Sequence, residues 1–308
     1  MRARAVAPAL LLALSAAAAA PREHPGRLVQ AGSLRLFVET EGGGPPLFVL
    51  PAGPGLDHAY FHPYLTSLSE QSTVVYLDPG GCGRSDPRPE GDYSLETMVE
   101  EVEGVRAALG LQTIDLLGHG LGQAVAVLYA DRHPARVGRM IFLGASMRAR
   151  GFLGAPGLKE AMSPQMRDAL AEAKENRYLS ADGRYREELR ILAPLMFFRL
   201  TDRSFHNAFA ERVTTAAAVR EALETRLAAG APGADLKAPL GRLKAPVLVV
   251  AGRHDRAATV AEAETVRDAV PGARLRILEE SGSFAFAEQP VDFTKEVRNF
   301  LSGAGGGI

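Results

Sequence analysis

Residues 113–124, TIDLLGHGLGQA, decide the fold of this chain. An apolar run leads through a turn with three alternating glycines, Gly118, Gly120 and Gly122, into a helical pattern. Glycines at this spacing permit a positive φ at the central position and a close approach of strand to helix. The pattern predicts a strand, a sharp turn and a helix, with the central residue standing clear of the sheet. That residue is Gly120, which has no side chain to present.

The rest of the chain predicts a layered α/β protein. Strand patterns lie at about 34–40, 46–51, 73–78, 113–117, 139–144, 246–251 and 274–279, and helical patterns at about 95–109, 121–132, 259–269 and 290–301. Strands that alternate with helices favour a mostly parallel sheet covered on both faces. Residues 147–244 lack strand patterns, so we expect a helical cap inserted between the core segments 21–146 and 245–301. Ordinary surface helices are the alternative for this segment.

Composition narrows the class of partner. The chain has 308 residues, 46% of them hydrophobic, which is enough for a large buried core. A formal net charge of −1 without a basic stripe argues against nucleic acid and against a charged membrane surface. Cys82 is the only cysteine, which rules out a disulfide within the chain. We expect a small-molecule partner, and the sequence leaves the oligomeric state open.

The first 20 residues read as a secretory signal peptide. Arg2 and Arg4 precede an apolar, alanine-rich run, residues 5–20, that ends in small residues. This pattern predicts export to the periplasm or the medium, with an alanine-rich amphipathic leader or a misassigned start as the alternatives. After the leader no apolar run is long enough to span a membrane. Residues 302–308, rich in glycine, are predicted to be disordered.

Four further segments carry a family resemblance. They are PAGPGLDH at 51–58, DPGGCGRS at 78–85, GRHD at 252–255 and SGSFAFAEQP at 281–290. Together with the glycine-rich turn they resemble the motifs of α/β-hydrolases of the proline iminopeptidase-like type, over about residues 28–301. The resemblance implies the α/β-hydrolase fold, with a mostly parallel central sheet, helices on both faces and a helical cap. It also implies a Ser–Asp–His triad.

Two of the three triad positions have lost their catalytic side chain. The resemblance places Gly120 at the nucleophile, Asp255 at the acid and Ser283 at the histidine. Removal of the serine or the histidine costs about 10⁶ in kcat in a serine hydrolase, because nothing attacks or nothing carries the proton. The sequence therefore predicts a non-catalytic pseudo-hydrolase with a small-molecule pocket. A weakly active esterase or iminopeptidase-like enzyme with a non-triad base is the alternative, and a partner-binding role for the cap is a third reading.

Other site residues follow from the same resemblance. The backbone N–H groups of Gly53 and Leu121 are predicted to form an oxyanion hole. His58 and His62 are candidates to line the pocket, whereas His119 is expected to point into helix packing. We expect none of these three histidines to be catalytic.

Asp255 is the remaining triad acid and would be left without its histidine. We expect it either to reach the Ser283 hydroxyl through water or to have a raised pKa. The glycine-rich turns match neither dinucleotide-binding nor nucleotide-binding patterns, and the sequence reading assigns no metal centre and no cofactor.

Overall fold

Eight strands form one sheet in the computed structural model, which describes residues 26–303. The predicted signal peptide, residues 1–20, and residues 304–308 of the predicted tail lie outside this range. The strands are β1 (Arg27–Ala31), β2 (Leu34–Glu41), β3 (Pro46–Leu50), β4 (Thr73–Leu77), β5 (Ile114–His119), β6 (Val137–Leu143), β7 (Val247–Gly252) and β8 (Arg274–Leu278). Their order across the sheet is β1-β2-β4-β3-β5-β6-β7-β8. The pairs β1/β2 and β2/β4 are antiparallel and the remaining pairs are parallel.

Eleven α-helices are formed in the described part of the chain. They are α1 (Leu95–Ala108), α2 (Leu121–Arg132), α3 (Pro156–Ala161), α4 (Pro164–Glu175), α5 (Ala181–Met196), α6 (Arg203–Arg212), α7 (Ala217–Ala228), α8 (Lys237–Arg242), α9 (Val260–Ala269), α10 (Ala285–Glu288) and α11 (Pro290–Leu301). Helices α3 to α8 lie between β6 and β7, in the segment for which the sequence predicts a cap. Their assignment as a separate cap domain stays a prediction.

Neighbouring residues of the central strands pack into two different cores. Phe48 and Leu116 contribute to a core shared with α1, α2 and α9, whereas Val49 and Leu117 contribute to a core shared with α5 and α11. Successive side chains of a strand point to opposite faces of the sheet, so a strand buried on both faces has to be apolar throughout. The expected mostly parallel α/β sheet with helices on both faces is confirmed.

Strand β1 is the one strand that the sequence reading did not predict. Its segment, RLVQA, buries only Val29 and Ala31 and pairs antiparallel with β2 at the edge of the sheet. A half-exposed edge strand needs few apolar residues, so its sequence pattern is weak. Across residues 26–303, no helix has the length and apolar character needed to cross a membrane.

Candidate functional site

The turn after β5 has the sharp geometry that the glycines predict. Gly120 connects β5 to α2 with φ 53° and ψ −113°, which is outside the left-handed region that L-residues tolerate. A Cβ on Gly118 would lie 2.5 Å from the Gly122 carbonyl oxygen, and a Cβ on Gly122 would lie 2.3 Å from the Leu50 carbonyl oxygen. Strand and helix pass too closely for a side chain at either flanking glycine. The apex itself carries no nucleophile.

The backbone of Ala52 occupies the space in which a nucleophile side chain would begin. The Leu121 N–H donates to the Ala52 carbonyl oxygen over 2.8 Å. A Cβ on Gly120 would lie 2.8 Å from that oxygen and 3.3 Å from Ala52 Cα. Contrary to the expectation, the Leu121 N–H is therefore not available to an oxyanion in this structure, because it already binds a backbone carbonyl.

Gly53, the other predicted oxyanion donor, borders a different cavity. This cavity has a volume of about 10 Å³, and Cys82 and Glu101 also line it. A Cβ on Gly53 would lie 2.7 Å from Leu56 Cδ1. The Gly53 N–H belongs to the same trans peptide as the Ala52 carbonyl and therefore points in the opposite direction. Because that carbonyl is turned towards the Leu121 N–H, the N–H groups of Gly53 and Leu121 do not converge on one oxyanion in this structure.

Asp255 and Ser283 meet directly at the carboxyl end of the sheet. The Ser283 hydroxyl donates to Asp255 Oδ1 over 2.6 Å, and the N–H groups of Ala257 and Ala258 donate to the same oxygen over 2.8 and 3.0 Å. Burial raises the pKa of Asp255 to about 6, and these hydrogen bonds oppose the rise. The contact expected through water is a direct hydrogen bond. Among residues 26–303 no arginine forms an ion pair with Asp255, and Arg150 pairs instead with Glu262 over 2.7 Å.

All three triad positions line one small cavity. Gly120, Asp255 and Ser283 border it together with His119, Gly144, Ser146, Arg148, Arg150, Phe152, Ala257 and Ala258. Its volume is about 20 Å³, which is room for about one water molecule. Loss of the serine and histidine side chains would by itself leave more room at these two positions. In this structure the Ala52 backbone takes up the space at Gly120.

His119 lies in the wall of this cavity and not in the helix packing that we expected. Its ring contacts a cluster of aromatic rings, namely Tyr60, Phe61, Phe284 and Phe286. Burial lowers the pKa of His119 to about 4, so the imidazole is neutral at pH 7. The Tyr60 hydroxyl lies 3.2 Å from His119 Nδ1 and accepts the Ala52 N–H over 2.7 Å. Tyr60 and His119 thus hold the segment after β3 that carries the Ala52 carbonyl, which we call the Ala52 turn.

Sequence reasoning missed this support of the Ala52 turn. The position of His119 directly before the apex was a usable signal, whereas the sequence contains no signal for the direction of the Ala52 carbonyl. His58 and His62, the predicted pocket histidines, do not line the cavity at Gly120. They lie beside Glu39, with His58 Nε2 at 3.4 Å and His62 Nε2 at 3.1 Å from its carboxylate oxygens.

Proteins of known activity resemble this chain over most of its length. The 2-hydroxy-6-oxo-2,4-heptadienoate hydrolase of Pseudomonas putida is 27% identical over 283 residues, which are 90% of this chain and 96% of that enzyme. The proline iminopeptidase of Heyndrickxia coagulans is 35% identical over 112 residues, which are 36% of this chain and 38% of that enzyme. The identity to these enzymes is too low to transfer a substrate.

Solved structures agree with the fold. An esterase from Exiguobacterium antarcticum superimposes with a TM-score of 0.70 at 21% identity, covering 90% of this chain and all of that one. An α/β fold family hydrolase from Bacillus anthracis gives a TM-score of 0.73 at 18% identity, covering 89% of this chain and 98% of that one. The family model described as the alpha/beta hydrolase fold matches residues 45–290. The strand order, the glycine-rich turn and this match together show that the chain belongs to the α/β-hydrolase family.

Proposed function

We propose that this protein is a pseudo-hydrolase, a member of the family that lacks serine-hydrolase chemistry. The observation that carries the proposal is the hydrogen bond from the Leu121 N–H to the Ala52 carbonyl, directly beside a glycine apex. Acyl transfer needs a nucleophile, a base and donors for the developing oxyanion. Gly120 supplies no nucleophile, and Ser283 supplies no imidazole. The Ala52 carbonyl accepts the Leu121 N–H, which is the donor that an oxyanion would need.

The remaining proposed role is binding of a small molecule without turnover. Pockets for organic ligands usually measure about 300 Å³ or more, whereas the cavity at Gly120 has about 20 Å³. Binding there therefore requires the Ala52 turn or the helices between β6 and β7 to move. A ligand that displaces the turn should raise the melting temperature and at the same time expose the Leu121 amide to hydrogen exchange.

One contact favours a second candidate, a weak hydrolase with an unconventional base. Ser283 Oγ donates to Asp255 Oδ1 over 2.6 Å, and a carboxylate with a pKa of about 6 can accept a proton near neutral pH. This contact joins a hydroxyl to a base inside the cavity. In that mechanism Ser283 would be the attacking group in place of the missing side chain at Gly120.

Turnover of p-nitrophenyl acetate and of a prolyl-arylamide separates the two candidates. The pseudo-hydrolase proposal predicts rates equal to the buffer blank for the wild-type protein and for Ser283→Ala. Saturable turnover that Ser283→Ala abolishes would establish the second candidate. Ser146→Ala is the matched control, since Ser146 borders the same cavity without bonding to Asp255.

We also propose that the protein is exported. The support is the leader pattern in residues 1–20, with two arginines before an apolar, alanine-rich run. Expression of the full chain in a bacterial host, followed by intact mass measurement on the extracellular and periplasmic fractions, tests this. Loss of about 17–20 residues in those fractions is the expected result, and an uncleaved chain confined to the cytosol would contradict it.

A further inference from the structure

Two histidines and a glutamate come together beside strand β2, away from the cavity at Gly120. Glu39 and Glu41 are two residues apart on β2, so they share a face of the sheet. His58 and His62 flank a short 3₁₀ helix, Ala59–Phe61, and both approach that face. The spacing His58-x-x-x-His62 is a recognised sequence signal for paired metal ligands. We predicted no metal centre on the ground that the histidines lack a His-x-x-x-His spacing, and that ground is wrong for His58 and His62.

The donor atoms stand at distances that suit one metal ion. Glu39 Oε2 lies 3.4 Å from His58 Nε2, and Glu39 Oε1 lies 3.1 Å from His62 Nε2. One donor atom from each of the three residues falls within 4.8 Å of the others. In a tetrahedral zinc site, bonds of about 2.0–2.1 Å place the ligand atoms about 3.3 Å apart. One donor atom of each residue therefore already lies near the other two.

A buried carboxylate fixes the ring of His58 in the orientation that a ligand needs. His58 Nδ1 lies 2.5 Å from Asp78 Oδ1, which also accepts the His58 backbone N–H over 3.1 Å. The second oxygen of Asp78 accepts the Arg84 N–H over 3.0 Å. With Nδ1 held in this way, Nε2 is turned towards Glu39. A carboxylate behind a histidine is the usual outer partner of a metal-bound imidazole.

We propose that Glu39, His58 and His62 form a binding site for a divalent ion of the zinc type. Two imidazoles and one carboxylate are a donor set that zinc accepts, with solvent completing the coordination. Glu39 and His58 are almost fully buried, whereas the His62 side chain is 21% exposed and gives the ion a way in. The proposal is independent of the pseudo-hydrolase proposal, because the two concern different residues.

The same residues could instead form only an ion-pair network. Burial lowers the pKa of His58, but the hydrogen bonds to Asp78 and Glu39 outweigh it and raise that pKa to about 9. A metal ion therefore has to displace a proton from the pair of His58 and Glu39. Direct measurement of metal binding distinguishes the two possibilities.

Calorimetric titration of Zn²⁺ into chelator-treated, tag-free protein is the test. We expect one ion per chain, a melting temperature that rises with zinc concentration, and Co²⁺ binding with the visible absorption bands of a low-coordinate site. His62→Gln and Glu39→Gln should each weaken zinc binding at least tenfold. His62 is the better first variant, because it is the most exposed of the three ligands.

His254→Gln is the matched control. His254 is an exposed loop histidine stacked on Phe198, and its replacement should leave zinc affinity unchanged. Two results would overturn the proposal: no saturable zinc binding by the wild-type protein, or equal affinity in wild type and in a folded His62→Gln variant. Either result would mean that the cluster is an ion-pair network and that any bound zinc is adventitious.

Discussion

Replacement of Gly120 by serine should destabilise the protein for two separable reasons. The backbone at this position has φ 53° and ψ −113°, and holding an L-residue in such a conformation costs about 1–3 kcal/mol. The new Cβ would also lie 2.8 Å from the Ala52 carbonyl oxygen. Overpacking of this kind in a tight interior costs about 1–3 kcal/mol more. The expected total is a loss of about 2–6 kcal/mol in the free energy of unfolding.

Gly144→Ser is the matched control for the backbone term. Gly144 has φ 59° and borders the same cavity as Gly120. Apart from the two flanking residues, the atom nearest to a Cβ there would be His119 Cδ2, at 3.5 Å. This variant should therefore lose only the strain of about 1–3 kcal/mol. Urea unfolding of wild type and both variants gives the comparison, and melting temperatures should follow, with about 4 °C lost for every 2 kcal/mol.

The comparison tests the position of Ala52. A loss for Gly120→Ser that exceeds both the loss for Gly144→Ser and about 3 kcal/mol, the upper end of backbone strain, means that the added side chain meets the carbonyl. Equal losses for the two variants would show that the Ala52 backbone does not fill the nucleophile position in solution.

Three further predictions concern the same cavity. The pKa of Asp255 is raised to about 6 in the folded protein, so the folded state takes up a proton more readily than the unfolded state. This group therefore adds stability as the pH falls from about 6 towards 4. On acidification from pH 7 to pH 4, the free energy of unfolding of wild type should gain up to about 3 kcal/mol relative to Asp255→Asn, whereas a constant difference would show a normal pKa. Ser283→Ala removes the 2.6 Å hydrogen bond to Asp255, so we expect a loss of about 1.5–3 kcal/mol near pH 7 and an upward shift of the pH at which the acid-side gain begins, both read from urea midpoints. Tyr60→Phe removes the acceptor of the buried Ala52 N–H, so it should cost about 1–3 kcal/mol and speed hydrogen exchange at the Leu121 amide; unchanged exchange would mean that Tyr60 does not hold the turn.

The sequence predicts the fold well because apolar periodicity and glycines act locally. The seven predicted strands and the four predicted helices are all formed, and the positive φ at Gly120 follows from the glycine spacing alone. The edge strand β1 is not predicted, because a strand exposed on one side needs few apolar residues and so has a weak sequence pattern. The motifs also bring Gly120, Asp255 and Ser283 to one cavity, as the resemblance implies.

The rest of the site depends on contacts between segments distant in the chain. The direction of the Ala52 carbonyl is set by Tyr60 and by the Leu121 N–H, and no local pattern encodes that choice. The small volume of the cavity at Gly120 follows from the direction of this carbonyl. The approach of His58 and His62 to Glu39 is likewise a contact between β2 and a later loop. Sequence spacing could have pointed to the two histidines but not to their carboxylate.

We have proposed that the triad positions of this chain carry no hydrolytic chemistry. The most direct measurement is steady-state hydrolysis of p-nitrophenyl acetate and of a prolyl-arylamide by the wild-type protein and by Asp255→Asn. Both proteins should match the buffer blank at every substrate concentration. Saturable turnover by the wild type that is lost in a folded Asp255→Asn variant would contradict it.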